Sequence, residues 1–373
     1  MTESPAKGAP LAGVRVLEVG GIGPAPFAGM LLAELGADVV RVDRPGERSV
    51  LPIAPEDDLL NRGKRSLELD LKLPAGRDAL LALAERAAIL VEGFRPGVAE
   101  RLGIGPEDCR ARNPALVYGR MTGWGQDGPR AQEVGHDINY LALTGALHTI
   151  GPDDGPPQIP VNYVGDFGGG SLYLVVGLLG ALRDAEAGRG GRVVDAAIVD
   201  GVAHLMASVH LLRNAGAWAD RRASNLIDGG APFYAVYATA DGRYIAVGAI
   251  ERRFYTALLE GLEVDVDPER QDDRSTWAET RALFATRFAS RTRAQWTECF
   301  AALPACVAPV NSIEEALEDP HISARGTLLG DHGRLRAAPA PRFEPPVQTT
   351  ERPAPVPGAD RDAVWAQWGV AGP

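Results

Sequence analysis

Val14-Arg15-Val16-Leu17-Glu18-Val19-Gly20-Gly21-Ile22-Gly23-Pro24-Ala25-Pro26, followed by Phe27–Leu35, Gly36 and Asp38-Val39-Val40-Arg41-Val42-Asp43, decides the fold class. Val14–Val19 is short and β-rich, and Gly20–Pro26 is a glycine-rich turn. Phe27–Leu35 has helical spacing and stops at Gly36, a natural residue just past a helix end. Asp38–Asp43 is β-rich again. The alternation continues with a strand at Leu67–Leu71, a helix at Ala75–Ala87, and strands at Ile89–Glu92 and Leu116–Met121. Strands alternating with helices of this length predict βαβ units around a mostly parallel sheet. Two longer helices are expected at Asp166–Ala185 and Ala197–Asn214, the first with Asp166 in the N-cap position.

Beyond about residue 220 the pattern changes. Phe233–Thr239 and Arg243–Ala249 are β-rich runs joined through Ala240-Asp241-Gly242, a hairpin signal. Helical stretches follow near Arg252–Leu262, Ser275–Ser290 and Arg293–Ala301. This reads as a smaller α+β domain. Ala337–Pro357 is rich in Pro and Ala and reads as an irregular connector, which carries a last helix near Asp360–Trp368 back to another part of the molecule. The expected class is therefore α/β: a large Rossmann-like domain built from both chain ends, plus a small α+β domain. The expected boundaries are 1–200 with 335–373 returning to it, a linker helix at 201–226, the small domain at 227–320, and a second linker at 321–334.

Composition narrows the function. The 373 residues are 45% apolar and 23% charged, enough for two buried cores. Asp and Glu outnumber Lys and Arg by 49 to 38, for a formal charge of −11, which argues against a nucleic-acid partner. Cys109, Cys299 and Cys306 cannot form a disulfide framework, and no pair has zinc-ligand spacing, so a reducing cytoplasm is the expected compartment. Met1–Pro10 lacks the apolar core of a secretory signal. Leu172–Leu182 is about half the length of a membrane span and reads as a buried helix.

The outline of a dinucleotide-binding unit is present, but its fingerprint fails. Gly21-Ile22-Gly23-Pro24-Ala25-Pro26 places Pro26 where the third glycine belongs, and neither proline has an N–H for a pyrophosphate. The alternative is a tight turn near a nucleotide or the core. A basic group is more informative: Arg41, Arg44, Arg48, Arg62, Lys64, Arg65 and Lys72, then Arg95 and Arg101, in an acidic chain. It is either a solvated face or an anion site, because Arg presents a fork suited to phosphate oxygens.

His136 and Asp166 are the candidates for chemistry. His136 stands beside Asp137, which can orient it, and an imidazole can serve as a general acid or base. Asp166 precedes Gly168-Gly169-Gly170 at a predicted helix start, so its carboxylate either lies beside free backbone N–H groups or simply caps a helix with close-packed glycines. Other site types are excluded. Gly169-Gly170-Ser171-Leu172-Tyr173 fails the nucleophile-elbow pattern, no H-E-x-x-H or Walker A occurs, and His204 and His210 are six apart.

Several motifs then carry a resemblance. Pro10–Glu18, Leu35–Pro45, Asn61-Arg62-Gly63-Lys64-Arg65 and Phe94-Arg95-Pro96-Gly97 resemble the family III coenzyme A transferases. Gly135-His136-Asp137-Ile138-Asn139-Tyr140, Gly165–Gly170, Asp228–Tyr234 and Val247–Glu251 resemble the α-methylacyl-CoA racemase branch of that family. The resemblance implies catalytic roles for His136, Asp166 and Glu251. It implies CoA contacts at Arg44, at Leu69, Asp70, Leu71 and Lys72, at Gly93, Phe94 and Arg95, at Arg101, and at Gly135, Asp137, Ile138, Asn139 and Tyr140. It also implies an interlocked homodimer, in which the small domain bearing Glu251 closes over the other chain's large domain. The loop Glu47–Leu60 matches no fixed pattern, and its part in nucleotide binding is left open.

The chemistry so implied is inversion at C2 of a 2-methylacyl-CoA thioester. One group takes the C2 proton, the enolate oxygen is stabilised with the Gly168–Gly170 backbone and the helix start as candidate donors, and a second group returns a proton on the other face. His136, held by Glu251, and Asp166 are the expected pair, with no cofactor beyond the CoA moiety and no metal, membrane or nucleic-acid partner. Transferases of the family use the equivalent carboxylate as a nucleophile, so CoA transfer through Asp166 is the alternative, and a non-catalytic CoA-binding protein is the alternative of another class.

Overall fold

The computed structural model describes residues 8–46, 53–54, 57–331, 334–347 and 352–372. The expectations for Met1–Lys7, for Arg48 and for part of the 47–60 loop lie outside these residues. The chain forms two compact units, one from residues 1–144, 160–206 and 329–373, the other from 145–159 and 207–328.

The first unit is built on β1 (Arg15–Val19), β2 (Asp38–Asp43), β3 (Arg65–Glu68), β4 (Ile89–Glu92), β5 (Val117–Thr122) and β6 (Val193–Ala197). The spatial order is β3-β2-β1-β4-β5-β6, every pairing parallel. That is the doubly wound order, in which the chain reverses direction between β1 and β4 and leaves a crevice beyond the strands' carboxyl ends. Alternation fixes the faces: Leu17 and Val19, Val40 and Val42, and Leu67 and Leu69 point to one side, where they bury against Leu80 and Leu83 of helix Pro74–Ala84. Glycine at position 119 makes room on β5 for the other layer, since a side chain there would meet Leu174 and Leu178 of the helix that ends at Glu186.

The β2 and β4 ranges match the sequence reading; β6 was not anticipated. β3 begins two residues earlier than expected, which leaves Leu69–Leu71 beyond the strand. The first helix starts at Pro24 rather than Phe27, because Pro24 sits at its first turn, where a missing N–H costs nothing. Ala197–Asn214 is not one helix but two, Ile198–Leu205 and Ala207–Asn214, and the units divide at Met206. The linker helix expected at 201–226 therefore does not form, and Gly145–Ile159, expected in the large domain, groups with the second unit.

The returning tail is tied down by specific bonds. Trp368 Nε1 donates to Asp38 at 2.8 Å, the Gly358 N–H donates to Ser66 Oγ at 2.7 Å, and the Ser66 N–H donates to Asp360 at 2.9 Å. Val364, Trp365 and Trp368 of helix Arg361–Trp368 join the core of the sheet.

The second unit holds an antiparallel sheet of β7 (Tyr234–Ala238), β8 (Tyr244–Gly248) and β9 (Val307–Pro309). The Asp241-Gly242 hairpin forms as read, and its core is aromatic: Phe233, Tyr237, Tyr255, Phe284, Phe288 and Trp296 pack in rings.

Candidate active site

Asp166 does not cap a helix. The helix begins at Tyr163 and runs to Glu186, and its first part, Tyr163–Ser171, is π-helical. It spans 24 residues, longer than expected and enough by length and composition alone to cross a membrane, yet Leu174, Leu178 and Leu182 are buried on its inner face. The π register is wider than an α-helix and is frequent at functional sites. Here it coincides with the glycines. A Cβ at Gly169 would stand 2.7 Å from the Val202 side chain, and one at Gly201 would overlap the Gly169 carbonyl, so two helix backbones touch where no side chain fits. The Gly168–Gly170 run is thus a packing surface with its N–H groups inside the helical bonding pattern, and the expected oxyanion donors are not there.

Asp137 supplies the cap instead. Its carboxylate, 8% exposed as a residue, accepts the Asp166 N–H at 2.7 Å and also bonds the Gly165 N–H. The expectation that Asp137 orients His136 is corrected: neighbours in sequence diverge here, one carboxylate facing inward to hold the Asp166 peptide. Burial pushes the Asp137 carboxyl up, opposed by those two backbone bonds.

The Asp166 carboxylate faces the glycine turn. A Cβ at Gly23 would be 3.3 Å from Asp166 Oδ2, and Gly23 has φ of +68°, so a side chain here would crowd the carboxylate and strain the backbone. The rings of Phe27 and Phe167 stack at 4.3 Å, and Ser171 Oγ lies 2.8 Å from the Pro24 carbonyl, locking turn to helix. The turn that fails as a dinucleotide fingerprint is one wall of this site. Burial, then the neighbouring Asp137 charge, pushes Asp166 up to about 6, while a hydrogen bond from Asn162 and the His136 ring act the other way.

His136 is exposed and sits just before helix Asp137–Thr144. The Asn139 side-chain oxygen accepts its N–H at 3.0 Å, and its own carbonyl accepts from Asn139 at 2.8 Å, a reciprocal cap that sets where the imidazole begins. Its charge acts on Asp166, opposing the rise that burial causes there. The N–H groups of Asp137 and Ile138, first in that helix, have no hydrogen-bond acceptor among the described residues. Tyr140 is buried edge-on against Trp124 at 4.7 Å, and burial raises its hydroxyl to about 12.

Of the eight described members of the basic group, four are spent on internal pairs. Lys64 is fully buried, with Glu18 at 2.7 Å and the Pro26 carbonyl and Asn61 each at 2.9 Å. Arg41 pairs with Asp43 at 2.7 Å, Arg62 with Glu34 at 2.6 Å, and Arg65 with Asp38. Arg44, Lys72, Arg95 and Arg101 are exposed and have no acidic partner among the described residues. They follow β2, β3 and β4, which flank the reversal point. Leu69 is buried in the core and Phe94 packs against it, so at those two positions the backbone is what remains to offer a ligand.

Glu251 lies in the second unit, exposed, just before helix Arg252–Leu262, and its carboxylate bonds nothing among the described residues. His136 and Asp166 belong together in the first unit. Asn162, Gly23 and the capping role of Asp137 escaped the sequence reading. Asn162 stands four residues before Asp166, a spacing that speaks only once the helix is known to start at Tyr163.

The sequence pattern of CoA-transferase family III matches residues 11–361. The chain belongs to this family. It is 43% identical over 353 residues to α-methylacyl-CoA racemase of Mus musculus, covering 94% of this chain and 89% of the relative, and 43% identical to that of Homo sapiens, covering 89% and 86%. A more distant member, succinyl-CoA–D-citramalate CoA-transferase of Chloroflexus aurantiacus, is 31% identical, covering 87% of this chain and 84% of that one. Among solved family structures, a CAIB/BAIF family protein from Brucella suis superposes with a TM-score of 0.81 at 25% identity, covering 96% of this chain and 99% of that chain.

Proposed function

We propose that this chain is an isomerase that racemises 2-methylacyl-CoA thioesters at C2. The observation that carries the reading is a half-buried carboxylate of raised proton affinity, Asp166, on which the charge of the His136 imidazole acts, in a chain 43% identical to racemases. One of the pair removes the C2 proton and the electron pair moves onto the thioester oxygen. The conjugate acid of the other delivers a proton to C2 from the opposite face and the carbonyl re-forms. Charge grows on the thioester oxygen during the first step. The Asp137 and Ile138 N–H groups, pointing out of a helix start, are the donors we assign to it. The scheme asks for no group beyond the substrate's own thioester.

Arg44, Lys72, Arg95 and Arg101 hold the phosphates of the CoA, so remote binding energy positions the reacting carbon. Glu251 acts on His136 from the small domain of a second copy, in an interlocked homodimer working in the cytoplasm.

CoA transfer is the second reading, favoured by the 31% identical transferase and by Asp166 as a carboxylate able to attack a thioester. A single enantiomer of a 2-methylacyl-CoA, incubated in deuterated water, separates the two. Loss of optical activity with deuterium at C2 is expected. Passage of CoA to an added carboxylic acid with no C2 exchange would replace racemisation by transfer. Binding without either reaction would leave a non-catalytic CoA-binding protein.

A further inference from the structure

Beneath the turn that follows β4 lies a buried set of charges that the proton-transfer scheme does not use. Glu92, the last residue of β4, is 1% exposed. One of its oxygens accepts the Phe94 N–H at 2.6 Å, and the other accepts Arg120 Nε at 3.1 Å. Arg120 stands opposite Glu92 in the β4–β5 register and reaches Glu100 at 2.8 Å. Glu100 belongs to the short helix Val98–Arg101, which follows directly on the turn. The carboxylate therefore grips the first peptide of the turn and, through the guanidinium, the helix beyond it. Between them the Pro96 carbonyl accepts from Gln132 at 3.2 Å. Arg95 and Arg101 project from this gripped stretch, both exposed.

A buried carboxylate is a poor way to gain stability, since an apolar pair of similar volume usually does as well. Its worth is in geometry: it fixes where two free cations stand. We propose that Glu92 and Arg120 are positioning residues that hold the Gly93–Gly97 turn and the Val98–Arg101 helix so that Arg95 and Arg101 meet the CoA phosphates in one arrangement. This rests on the assignment of Arg95 and Arg101 to CoA.

The grip is pH-dependent. Glu92 is faced by Arg120 and Tyr118 from β5 and by Glu100, and Arg120 is also faced by Asp195 of β6. Burial pushes Glu92 up to about 7, against the Phe94 bond and the Arg120 charge. As pH falls through that value Glu92 takes up a proton, and a neutral acid holds the N–H and the guanidinium less firmly than a carboxylate does.

Titration calorimetry with CoA itself, on the full chain at about pH 6 and about pH 8, tests this. Glu92→Gln is expected to bind CoA about tenfold more weakly at the higher pH, the size of one charge-assisted hydrogen bond. It is also expected to lose part of the affinity change between the two pH values; the CoA phosphate titrates near pH ~6 in both proteins and so cancels in the comparison. With a 2-methylacyl-CoA most of the loss appears in KM, with a smaller loss in kcat as the reacting carbon is held less firmly. Glu100→Ala, at a half-exposed side chain, leaves the core untouched and is expected to weaken CoA about threefold. If Glu92→Gln fails to fold, Glu100→Ala decides alone. Wild-type affinity in the variants at both pH values overturns the positioning role while racemisation stands. A wild-type chain that binds no CoA overturns both.

Discussion

The two halves of the site are both helix beginnings, yet they are built in opposite ways. His136 precedes a short helix, is exposed, and is anchored only through its backbone to Asn139. Asp166 lies inside a helix, half-buried, with its N–H on Asp137, its carboxylate on Asn162, and Gly23 pressed against it. A group that must stay mobile enough to meet a substrate sits at the surface, whereas a group that needs a raised proton affinity is packed where water is scarce. Environment divides the labour between imidazole and carboxylate.

Breaking the buried half should cost most. Asp166→Asn is expected to slow inversion, followed as loss of optical activity, on the order of 10³-fold from either enantiomer. Loss below about tenfold would remove Asp166 from the chemistry. Breaking the exposed half should sharpen the division: His136→Ala is expected to slow inversion by about 10²-fold or more, while the Asp166 face still exchanges the C2 hydrogen of one enantiomer without inverting it. Equal residual exchange from both enantiomers would contradict the two-face assignment.

The pH response carries a definite sign. With Asp166 raised to about 6, the step in which it takes the proton should fade as pH drops through that value. For stability the same shift means that the fold prefers the protonated acid, so Asp166 contributes most below its unfolded value and that contribution is lost as pH rises through about 6. Asp166→Asn should therefore raise the melting temperature at about pH 8 relative to wild type, and less so at about pH 4. Asp137→Ala removes the acceptor of the Asp166 N–H and should cost roughly 1–2 kcal/mol in denaturant unfolding. Asn139→Ala, which loosens only the exposed cap, should cost about 0.5–1 kcal/mol.

The sheet was legible because its cause is local. β2 and β4 fall where alternating and continuous apolar runs put them, and the Asp241-Gly242 hairpin follows from the two residues that make it. β6 was missed because Val193–Ala197 is an edge strand with exposed Val193, too weakly apolar to stand out. In the site, His136 and Asp166 were legible as residue types, but their partners were misassigned. Asp137 looked like the partner of the imidazole next door; it serves a peptide 29 residues away. Lys64 and Arg65 belonged to a basic group open to two readings, a solvated face or an anion site, and are instead spent on Glu18 and Asp38.

The amino-acid order alone determined the alternation of strand and helix, the return of the last helix, and which side chains had the chemistry to move a proton, since propensity and functional-group identity reside in single residues and near neighbours. Only the tertiary structure decided which of many like-charged groups were left free and which carboxylate was buried to a raised proton affinity. Desolvation and ion pairing depend on what the rest of the chain brings within a few ångströms, and that distance is not a property of sequence spacing.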